Sequence, residues 1–547
     1  MLRRLPGGRH RTFNRCRLVL PVAVAALLLG PAGCGSTSHP GVPSSAARAR
    51  PGLESIFEDD GHLHSDPEGT LALMRQLGVA RMRVFVSWQS VAPAPTSPQP
   101  PKGFSGADPA SYPASAWTTL DRIVRAAATH GIGVDLTIAG PVPRWATGAG
   151  APVSPYTSWK PSDNAFGALV RAIGTRFSGS FKPAGASSPL PRVDFWSIWN
   201  EPNYGPSLAP QAIERSTVEV SPQLYRGLLD AAWSALGATG HGHDTILIGE
   251  TAPRGITTGD NPGNFSGMVP LRFIRALYCV GGDLHPLTGS AAAARACPPG
   301  GASASFVAAH PALFGATGFA DHPYPQGGMP PNATTPAEPD YADLGALPRL
   351  EQTLDRARVA YGSFPPLPIY STEFGYQTDP PETIAHTTPT ALAALYLNWS
   401  EYLSWRDPRI HSYDQYLLSD PANANASGGF ATGLWFKNGT PKPTFAAYRL
   451  PLFLPATGRS RDSAEVWGCV RPARYAGSPE RSIAPAQIQF RPGPKRSFRT
   501  VARVPIRSPQ GYFDTRVRLP AQGQVRLSWR PPRGPVIHSR IASLRSG

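Results

Sequence analysis

The sequence predicts an α/β protein, with a closed (β/α)8 barrel followed by a small all-β sandwich. Two observations predict the barrel, namely eight short apolar or β-branched runs and the amphipathic segments that separate them. Strands that alternate with helices form a parallel sheet, and eight such units close into a barrel. A third observation predicts the sandwich: after residue 455 the pattern changes to short runs with partial two-residue periodicity, separated by Gly and Pro.

The barrel is predicted to span residues 52–457. Its strands are predicted at residues 53–57, 81–87, 132–138, 193–199, 245–249, 318–321, 367–370 and 410–417. Its principal helices are predicted at residues 67–77, 115–130, 163–177, 222–236, 344–361 and 389–405. Segments rich in Pro and Gly follow several strands, so they are expected to build a cleft at the C-terminal face of the barrel.

The all-β sandwich is predicted to span residues 458–547. Its strands are predicted at residues 464–470, 486–490, 500–506, 512–519 and 524–529. Two roles are open for this domain: packing against the barrel, or binding a carbohydrate or cell-wall polymer.

The first 51 residues have the features of an export signal and a tether. In residues 1–34, six arginines precede an apolar stretch at 18–29 that is too short to span a bilayer, and small residues follow it. The end of this segment resembles a bacterial lipobox, which implies a lipid on Cys34 and a location at the outer face of the cell membrane. The alternative is a secreted protein with an unmodified Cys34. Residues 35–51 are predicted to form a flexible tether.

The positive charge lies outside the predicted barrel. The chain has a formal net charge of +16, residues 1–50 contain 8 Arg and no acidic residue, and residues 459–547 contain 18 Lys or Arg against 4 acidic residues. Subtracting both ends leaves −6 for residues 51–458. This distribution argues against a nucleic-acid partner for the barrel, although the basic C-terminal domain could associate with an anionic polymer or membrane surface.

The cysteines predict one disulfide and no metal site. In an exported protein, Cys279 and Cys297 can close a short loop, which leaves Cys469 as a buried apolar residue. The chain has no CxxC motif and no Cys/His cluster, so neither a metal nor another cofactor is expected.

Two glutamates in short motifs indicate the chemistry. Glu201 stands in Trp-Asn-Glu-Pro-Asn after the fourth predicted strand, and Glu373 stands in Ser-Thr-Glu-Phe-Gly after the seventh. Barrel enzymes keep their reactive groups at the C-terminal ends of strands, so both carboxylates are expected in one pocket. Two converging carboxyl groups suggest cleavage of a glycosidic bond.

The two motifs, in this order along residues 53–455, resemble the clan A retaining glycoside hydrolases, specifically the cellulase-like family 5 and the family 39 types. The resemblance implies that Glu201 is the general acid/base and Glu373 the nucleophile, with their carboxyl groups about 5 to 5.5 Å apart. It also implies that Asn200 donates to the 2-hydroxyl of the sugar. The expected partner is a β-linked poly- or oligosaccharide, and the protein is expected to be a monomer.

Further residues are expected to serve these two carboxylates. Arg83 in the second strand would keep Glu373 ionised by charge pairing. His322 or Tyr324, which resemble the end of the clan's sixth strand, would orient Glu373 by a hydrogen bond. The candidate platforms for a sugar ring are three tryptophans, Trp88, Trp145 and Trp435, the last of which resembles the aromatic residue of the clan's eighth strand.

Two other functions use the same residues. A sugar isomerase with this fold would bind divalent metal through Glu201, Glu250, His322 and Glu373, and chelation would abolish its activity. A non-catalytic lipoprotein that binds the cell wall would keep the cleft and turn nothing over.

Overall fold

The computed structural model describes residues 52–544 except 214–215, 257–262, 384–386, 425–428, 459, 461, 478–482 and 521. These residues belong to one compact unit that spans residues 50–547. The predicted export signal (1–34), the tether (35–51) and Cys34 lie outside the described residues, so they remain predictions.

Eight parallel strands close into a barrel in the order β1–β10–β7–β6–β5–β4–β3–β2, which confirms the predicted (β/α)8 fold. The barrel strands are β1 Glu54–Glu58, β2 Arg81–Ser87, β3 Gly133–Ala139, β4 Phe195–Ile198, β5 Thr245–Thr251, β6 Gly318–Asp321, β7 Ile369–Ser371 and β10 Ile410–Tyr416. Two short strands, β8 Thr378–Asp379 and β9 Thr388–Pro389, form a separate ribbon beyond β7.

Helices follow the barrel strands and surround them. They are α1 Asp60–Ser65, α2 Pro67–Leu77, α3 Trp88–Val91, α4 Ala114–His130, α5 Asp163–Arg176, α6 Ser221–Ala238, α7 Pro270–Leu277, α8 Gly289–Ala293, α9 Ala304–Ala309, α10 Pro311–Gly315, α11 Leu347–Val359, α12 Thr390–Arg406 and α13 Pro443–Arg449. Short 3-10 helices lie at Pro109–Ser111, Arg144–Ala146, Leu344–Ala346, Ala456–Gly458 and Arg471–Tyr475.

Local chemistry sets the helix ends, as α2 illustrates. The side chain of Asp66 accepts a hydrogen bond from the Gly69 amide, and Pro67 occupies the first turn, where no amide hydrogen is needed. At the other end Gly78 has φ +81, a left-handed conformation that glycine adopts without strain. The start and stop predicted for this helix, residues 67–77, agree with the structure.

The C-terminal domain consists of two antiparallel sheets. One has the order β11–β12–β15, and the other has β13 between β14 and β16, with β17 and β18 paired to β16. Their bounds are β11 Leu452–Phe453, β12 Ser463–Cys469, β13 Ala486–Arg491, β14 Arg499–Val504, β15 Tyr512–Arg518, β16 Gly523–Trp529, β17 Ile537–His538 and β18 Ala542–Leu544. Because β11 pairs with β12, the first sheet begins a few residues before the predicted boundary at 458.

The C-terminal domain packs on α12 through aromatic residues and one buried ion pair. The guanidinium group of Arg471 lies 2.6 Å from Glu401 of α12, and both side chains are almost fully buried. The hydroxyl of Tyr512 in β15 donates to the same Glu401 oxygen at 2.6 Å. Trp467 contacts Tyr402 with a ring-centroid distance of 5.6 Å, and Cys469 beside it is a buried free thiol.

A disulfide joins Cys279 and Cys297 in the segment that follows α7, with an S–S distance of 2.04 Å. Within the described residues, no helix combines the length and the apolar character that a membrane span requires.

Glu401→Ala is expected to lower the free energy of unfolding by about 3–5 kcal/mol, because it leaves a buried guanidinium group without its counter-charge. Urea denaturation followed by tryptophan fluorescence measures the loss. Asp355→Ala is the matched control: Asp355 pairs with Arg409 at 2.8 Å in a more exposed position, and such pairs contribute about 0–1 kcal/mol. Equal losses for the two variants would contradict the prediction.

Candidate active site

The C-terminal face of the barrel brings together the polar side chains that the sequence analysis singled out. Arg83 lies in β2, Glu201 follows β4 and Glu373 follows β7. His322 and Tyr324 follow β6. These residues follow or belong to four different strands, and the closure of the parallel barrel places them all at its C-terminal end.

The two predicted carboxylates face each other. Glu201, His322 and Glu373 each offer one atom such that the three atoms lie within 4.8 Å of one another. The side chain of Glu201 is 21% exposed and that of Glu373 is 13% exposed, whereas His322 is fully buried. A molecule that enters from solvent can therefore reach both carboxylates, with the imidazole behind them.

Both oxygens of Glu373 accept a hydrogen bond. Arg83 donates from Nη1 to Oε1 at 2.7 Å, and the Tyr324 hydroxyl donates to Oε2 at 3.1 Å. One hydrogen bond to each oxygen fixes the plane of the carboxylate group. The predicted positions of Arg83 and Tyr324 beside Glu373 agree with this geometry.

Arg83 is fully buried and is surrounded by acceptors. Nη1 also bonds Glu58 of β1, while Nη2 donates to Glu250 of β5 at 2.9 Å and to Asn200 Oδ1 at 2.7 Å. Burial favours the neutral guanidine, but the surrounding carboxylates, Glu58 first, outweigh it and raise the pKa of Arg83 well above its ordinary value. The positive charge is therefore permanent.

The contact with Arg83 also fixes the orientation of the Asn200 amide. A guanidinium group only donates, so the atom of Asn200 that meets it must be the carbonyl oxygen. The amide nitrogen is then left to donate to another group. This is the orientation that the expected bond to a sugar hydroxyl requires.

His322 bridges three carboxylates. Nε2 lies 2.8 Å from Glu250, and Nδ1 lies 3.1 Å from Glu201 and 3.5 Å from Glu373. Burial favours the neutral imidazole, but the charge of Glu373 and the hydrogen bonds to Glu201 and Glu250 raise the pKa of His322 well above its ordinary value. We infer that His322 carries a proton at neutral pH.

Glu250 is the fully buried member of the group. Its Oε2 accepts from Arg83, from His322 and, at 3.0 Å, from the Thr372 hydroxyl. Burial alone would raise the pKa of Glu250, but the charge of Arg83 and the hydrogen bond from His322 lower it to about 2. The sequence analysis considered Glu250 only as a metal ligand, whereas here it holds a guanidinium and an imidazolium in place.

The backbone at this face is strained. Trp199, Glu201 and Glu250 have φ values of +72°, +45° and +50°, in the left-handed region that non-glycine residues seldom adopt. The Glu201 amide donates to the Glu250 carbonyl at 2.8 Å, which ties the end of β4 to β5. Such strain of about 1–3 kcal/mol per residue is typical of functional sites, where the surroundings hold the conformation.

Further buried acids in the barrel were missed by the sequence analysis. Burial raises the pKa of Glu58 and of Asp414 well above the usual range and that of Asp135 to about 7, in each case against the opposing charge of Arg83. Burial likewise raises the pKa of Asp321 to about 7. An available signal was that Asp135 and Asp414 interrupt apolar or aromatic strand sequences.

The predicted platform at Trp88 is wrong. Its side chain is fully buried and packs against Phe166 of α5, with ring centroids 5.6 Å apart, so a sugar cannot reach it. Trp145 donates its indole hydrogen to the Pro93 carbonyl at 3.1 Å, and Trp435 packs against Phe445 at 5.8 Å. For Trp145 and Trp435 the platform role stays a prediction.

Other aromatic residues surround the nucleophile candidate. Tyr416, at the end of β10, and Phe430 contact each other at 5.9 Å, and they contact Tyr324 at 6.3 Å and 5.0 Å. Tyr416 and Phe430 also line a cavity of about 440 Å³ together with His62 of α1. A smaller cavity of about 150 Å³ is lined by Asn200 and Trp199.

A divalent metal would have to displace existing hydrogen bonds. In the metal interpretation, His322 supplies an imidazole nitrogen to the ion, but both nitrogens of this ring already contact carboxylates. A protonated imidazole has no lone pair for a metal. Glu201, His322 and Glu373 nevertheless lie close enough together to hold a metal ion, so the metal interpretation stays an alternative.

No family model matches the chain, and no curated protein matches it either. Solved structures are similar to it. A family 39 glycoside hydrolase from Bacteroides cellulosilyticus WH2 has 16% identity and a TM-score of 0.47, over 86% of this chain and 79% of that one. A glucosidase from Croceicoccus marinus has 12% identity and a TM-score of 0.45, and the match covers 86% of this chain and 92% of that one. A GH30 endoxylanase from Clostridium papyrosolvens C71 has 9% identity and a TM-score of 0.41, and the match covers 86% of this chain and 95% of that one. We therefore base the function on the side chains of the site.

Glu250→Gln is expected to lower the pKa of His322, because it removes a negative charge 2.8 Å from the imidazole. His322 then loses its proton at a lower pH than in the wild type. Carbon-13 NMR of labelled histidines, assigned with a His322→Asn sample, measures the titration. Glu68→Gln is the control, since Glu68 pairs with His130 at the surface. An unchanged His322 titration in Glu250→Gln would contradict the prediction.

Proposed function

We propose that the protein is a retaining glycoside hydrolase that cleaves β-linked poly- or oligosaccharides by double displacement. The observation that carries the proposal is the approach of Glu201 and Glu373, which each have an oxygen within 4.8 Å of the other at the open end of the barrel. Retaining enzymes keep their two carboxyl groups about 5–5.5 Å apart, while inverting enzymes need about 6.5–9.5 Å to accommodate a water molecule.

In the first step, Glu373 attacks the anomeric carbon while Glu201 donates a proton to the departing glycosidic oxygen. The bond to the leaving group breaks, and an ester forms between Glu373 and the sugar. The bonds from Arg83 and Tyr324 to Glu373 support its role as the nucleophile, because they hold the carboxylate in one plane.

In the second step, Glu201 takes a proton from water, and the resulting nucleophile attacks the anomeric carbon. The ester to Glu373 breaks, and the sugar leaves with its original configuration. His322 lies 3.1 Å from Glu201, and this hydrogen bond holds the carboxyl group in one orientation during the exchange.

The sugar itself is expected to be held by Asn200, whose amide nitrogen is oriented away from Arg83 and can donate to a 2-hydroxyl group. Export and lipid attachment at Cys34 belong to the proposal as well, and their support is the N-terminal sequence. The proposed substrate is therefore an extracellular glycan.

Glu373→Ala is expected to reduce turnover of a β-linked aryl glycoside by at least about 10⁴-fold, because no covalent intermediate can form. Added azide is expected to restore part of the activity and to give a glycosyl azide of inverted configuration, which NMR of the product identifies. Glu68→Ala, an exposed glutamate, is the control. Near wild-type turnover by Glu373→Ala would reject the assignment.

Glu201→Ala is expected to slow the hydrolysis of substrates with poor leaving groups by about 10²–10⁴-fold, because these need a proton in the first step. With a dinitrophenyl leaving group, which departs without protonation, kcat is expected to fall because the second step lacks its base. Stopped-flow measurement should then reveal a burst of dinitrophenol. A uniform loss on all substrates without a burst would contradict the role.

Chelation separates the proposed mechanism from a metal-dependent one. Dialysis against EDTA is expected to leave the rate of glycoside hydrolysis unchanged, because the proposed steps use protons and carboxylates alone. Loss of hydrolysis with EDTA, and its return on addition of Mg²⁺ or Mn²⁺, would instead show that the reaction depends on a metal.

A further inference from the structure

The C-terminal domain carries a positive charge that the proposed reaction does not use. Residues 483–544 contain 12 Lys or Arg and one acidic residue, Asp514, which lies in β15. Several of these arginines lie in the sheet that contains β13, β14 and β16, and not in the sheet that contains β15. This sheet turns its alternate apolar residues toward the core of the domain and the intervening residues outward.

The outward side of this sheet forms a surface that we call the arginine–glutamine face. In the strand register, Gln487 lies opposite Arg503, Gln489 lies opposite Arg526, and Arg491 lies opposite Gln524. Residues directly opposite in neighbouring strands share one side of a sheet. The face is therefore defined by Gln487, Gln489, Arg491, Arg503, Gln524 and Arg526.

The side-chain oxygen of each glutamine in the face accepts a hydrogen bond. Arg491 Nε donates to Gln524 Oε1 at 2.7 Å, and Arg526 Nε donates to Gln489 Oε1 at 2.8 Å. The Thr500 hydroxyl donates to Gln487 Oε1 at 2.9 Å. Each glutamine thus keeps its amide NH₂ as the outward group, and the guanidinium groups present further N–H donors.

The two central guanidinium groups are held close together. Arg491 and Arg526 lie over the ring of Phe498, with distances from Cζ to the ring centroid of 4.5 Å and 4.2 Å. Partial burial, followed by the charge of Arg491, lowers the pKa of Arg526. An anionic group bound to either guanidinium would offset part of the positive charge gathered at this ring.

We propose that the arginine–glutamine face binds an anionic polysaccharide, with its carboxylate or phosphate groups on Arg491 and Arg526 and its hydroxyl oxygens on the glutamine amides. A surface that presents donors and positive charge selects a partner rich in negatively charged acceptors. The proposal is independent of the reaction at the barrel.

Other polyanions fit the face less well. Binding of single-stranded nucleic acid relies on aromatic rings on which bases stack, and both guanidinium groups already occupy the ring of Phe498. Peripheral membrane binding is strongest where apolar side chains accompany the basic ones, whereas the six residues of the face are glutamine and arginine. A flat polar sheet with neighbouring amides suits a hydroxyl-rich polymer.

The test compares two double variants that lose the same charge. Arg491→Gln/Arg526→Gln changes the face, and Arg516→Gln/Arg518→Gln changes exposed arginines of β15 in the other sheet. Binding of each purified protein to immobilised polygalacturonate, and to neutral dextran, is measured by biolayer interferometry at about 150 mM salt. Thermal unfolding checks that both variants are folded.

The wild type is expected to bind polygalacturonate and not dextran. The variant of the face is expected to weaken the affinity by about tenfold, while the β15 variant changes it less than about twofold. Should Arg491→Gln/Arg526→Gln fail to fold, Arg503→Gln, at an exposed position, is expected to weaken binding by about threefold.

Four results would overturn the proposal. They are absence of binding to polygalacturonate, equal binding to dextran, equal weakening by the two double variants, and tighter binding to phosphatidylglycerol vesicles or to a DNA duplex than to polygalacturonate. The third would mean that net charge alone attracts the polymer, and the fourth that the partner is a membrane or a nucleic acid.

Discussion

The site depends on one buried cation. Arg83 is fully removed from solvent, yet it carries a permanent charge, so the barrel must supply counter-charges around it. It contacts Glu58 from β1, Glu250 from β5 and Glu373 beyond β7, which are distant in sequence and close in space. A single planar guanidinium group with five donors thereby fixes the positions of carboxylates that would otherwise repel one another.

The carboxylates near this cation differ in their exposure to solvent. Glu250 lies in the interior and holds Arg83 and His322 by hydrogen bonds, while Glu201 and Glu373 lie in front of them and reach solvent. Arg83 and His322 in turn hold Glu373 and Glu201 in position by hydrogen bonds. The strained backbone at Glu201 and Glu250 belongs to the same arrangement, because the bond between their main chains holds the reactive end of β4 against β5.

Sequence reasoning gave the barrel and the positions of the two facing glutamates, since hydrophobic periodicity and strand ends are local properties of the chain. It also placed Arg83, and either His322 or Tyr324, beside Glu373; in the structure Arg83 and Tyr324 donate hydrogen bonds to Glu373. It failed for Trp88, because an aromatic ring suits a sugar platform and a hydrophobic core equally well, and the packing of α5 decides between them. It placed Glu250 near Glu201, His322 and Glu373 only as a metal ligand, because a sequence pattern does not show which hydrogen bonds a buried carboxylate accepts.

The sequence by itself determined the alternation of strands and helices, the change to antiparallel sheets and the motifs that end the fourth and seventh strands, because each depends on residues adjacent in the chain. Tertiary structure alone decided which acids are buried and that His322 contacts both Glu201 and Glu250. It also decided that Arg491 of β13 and Arg526 of β16 both contact the ring of Phe498. These properties depend on distances between segments far apart in sequence, and burial, charge and hydrogen bonding act through those distances.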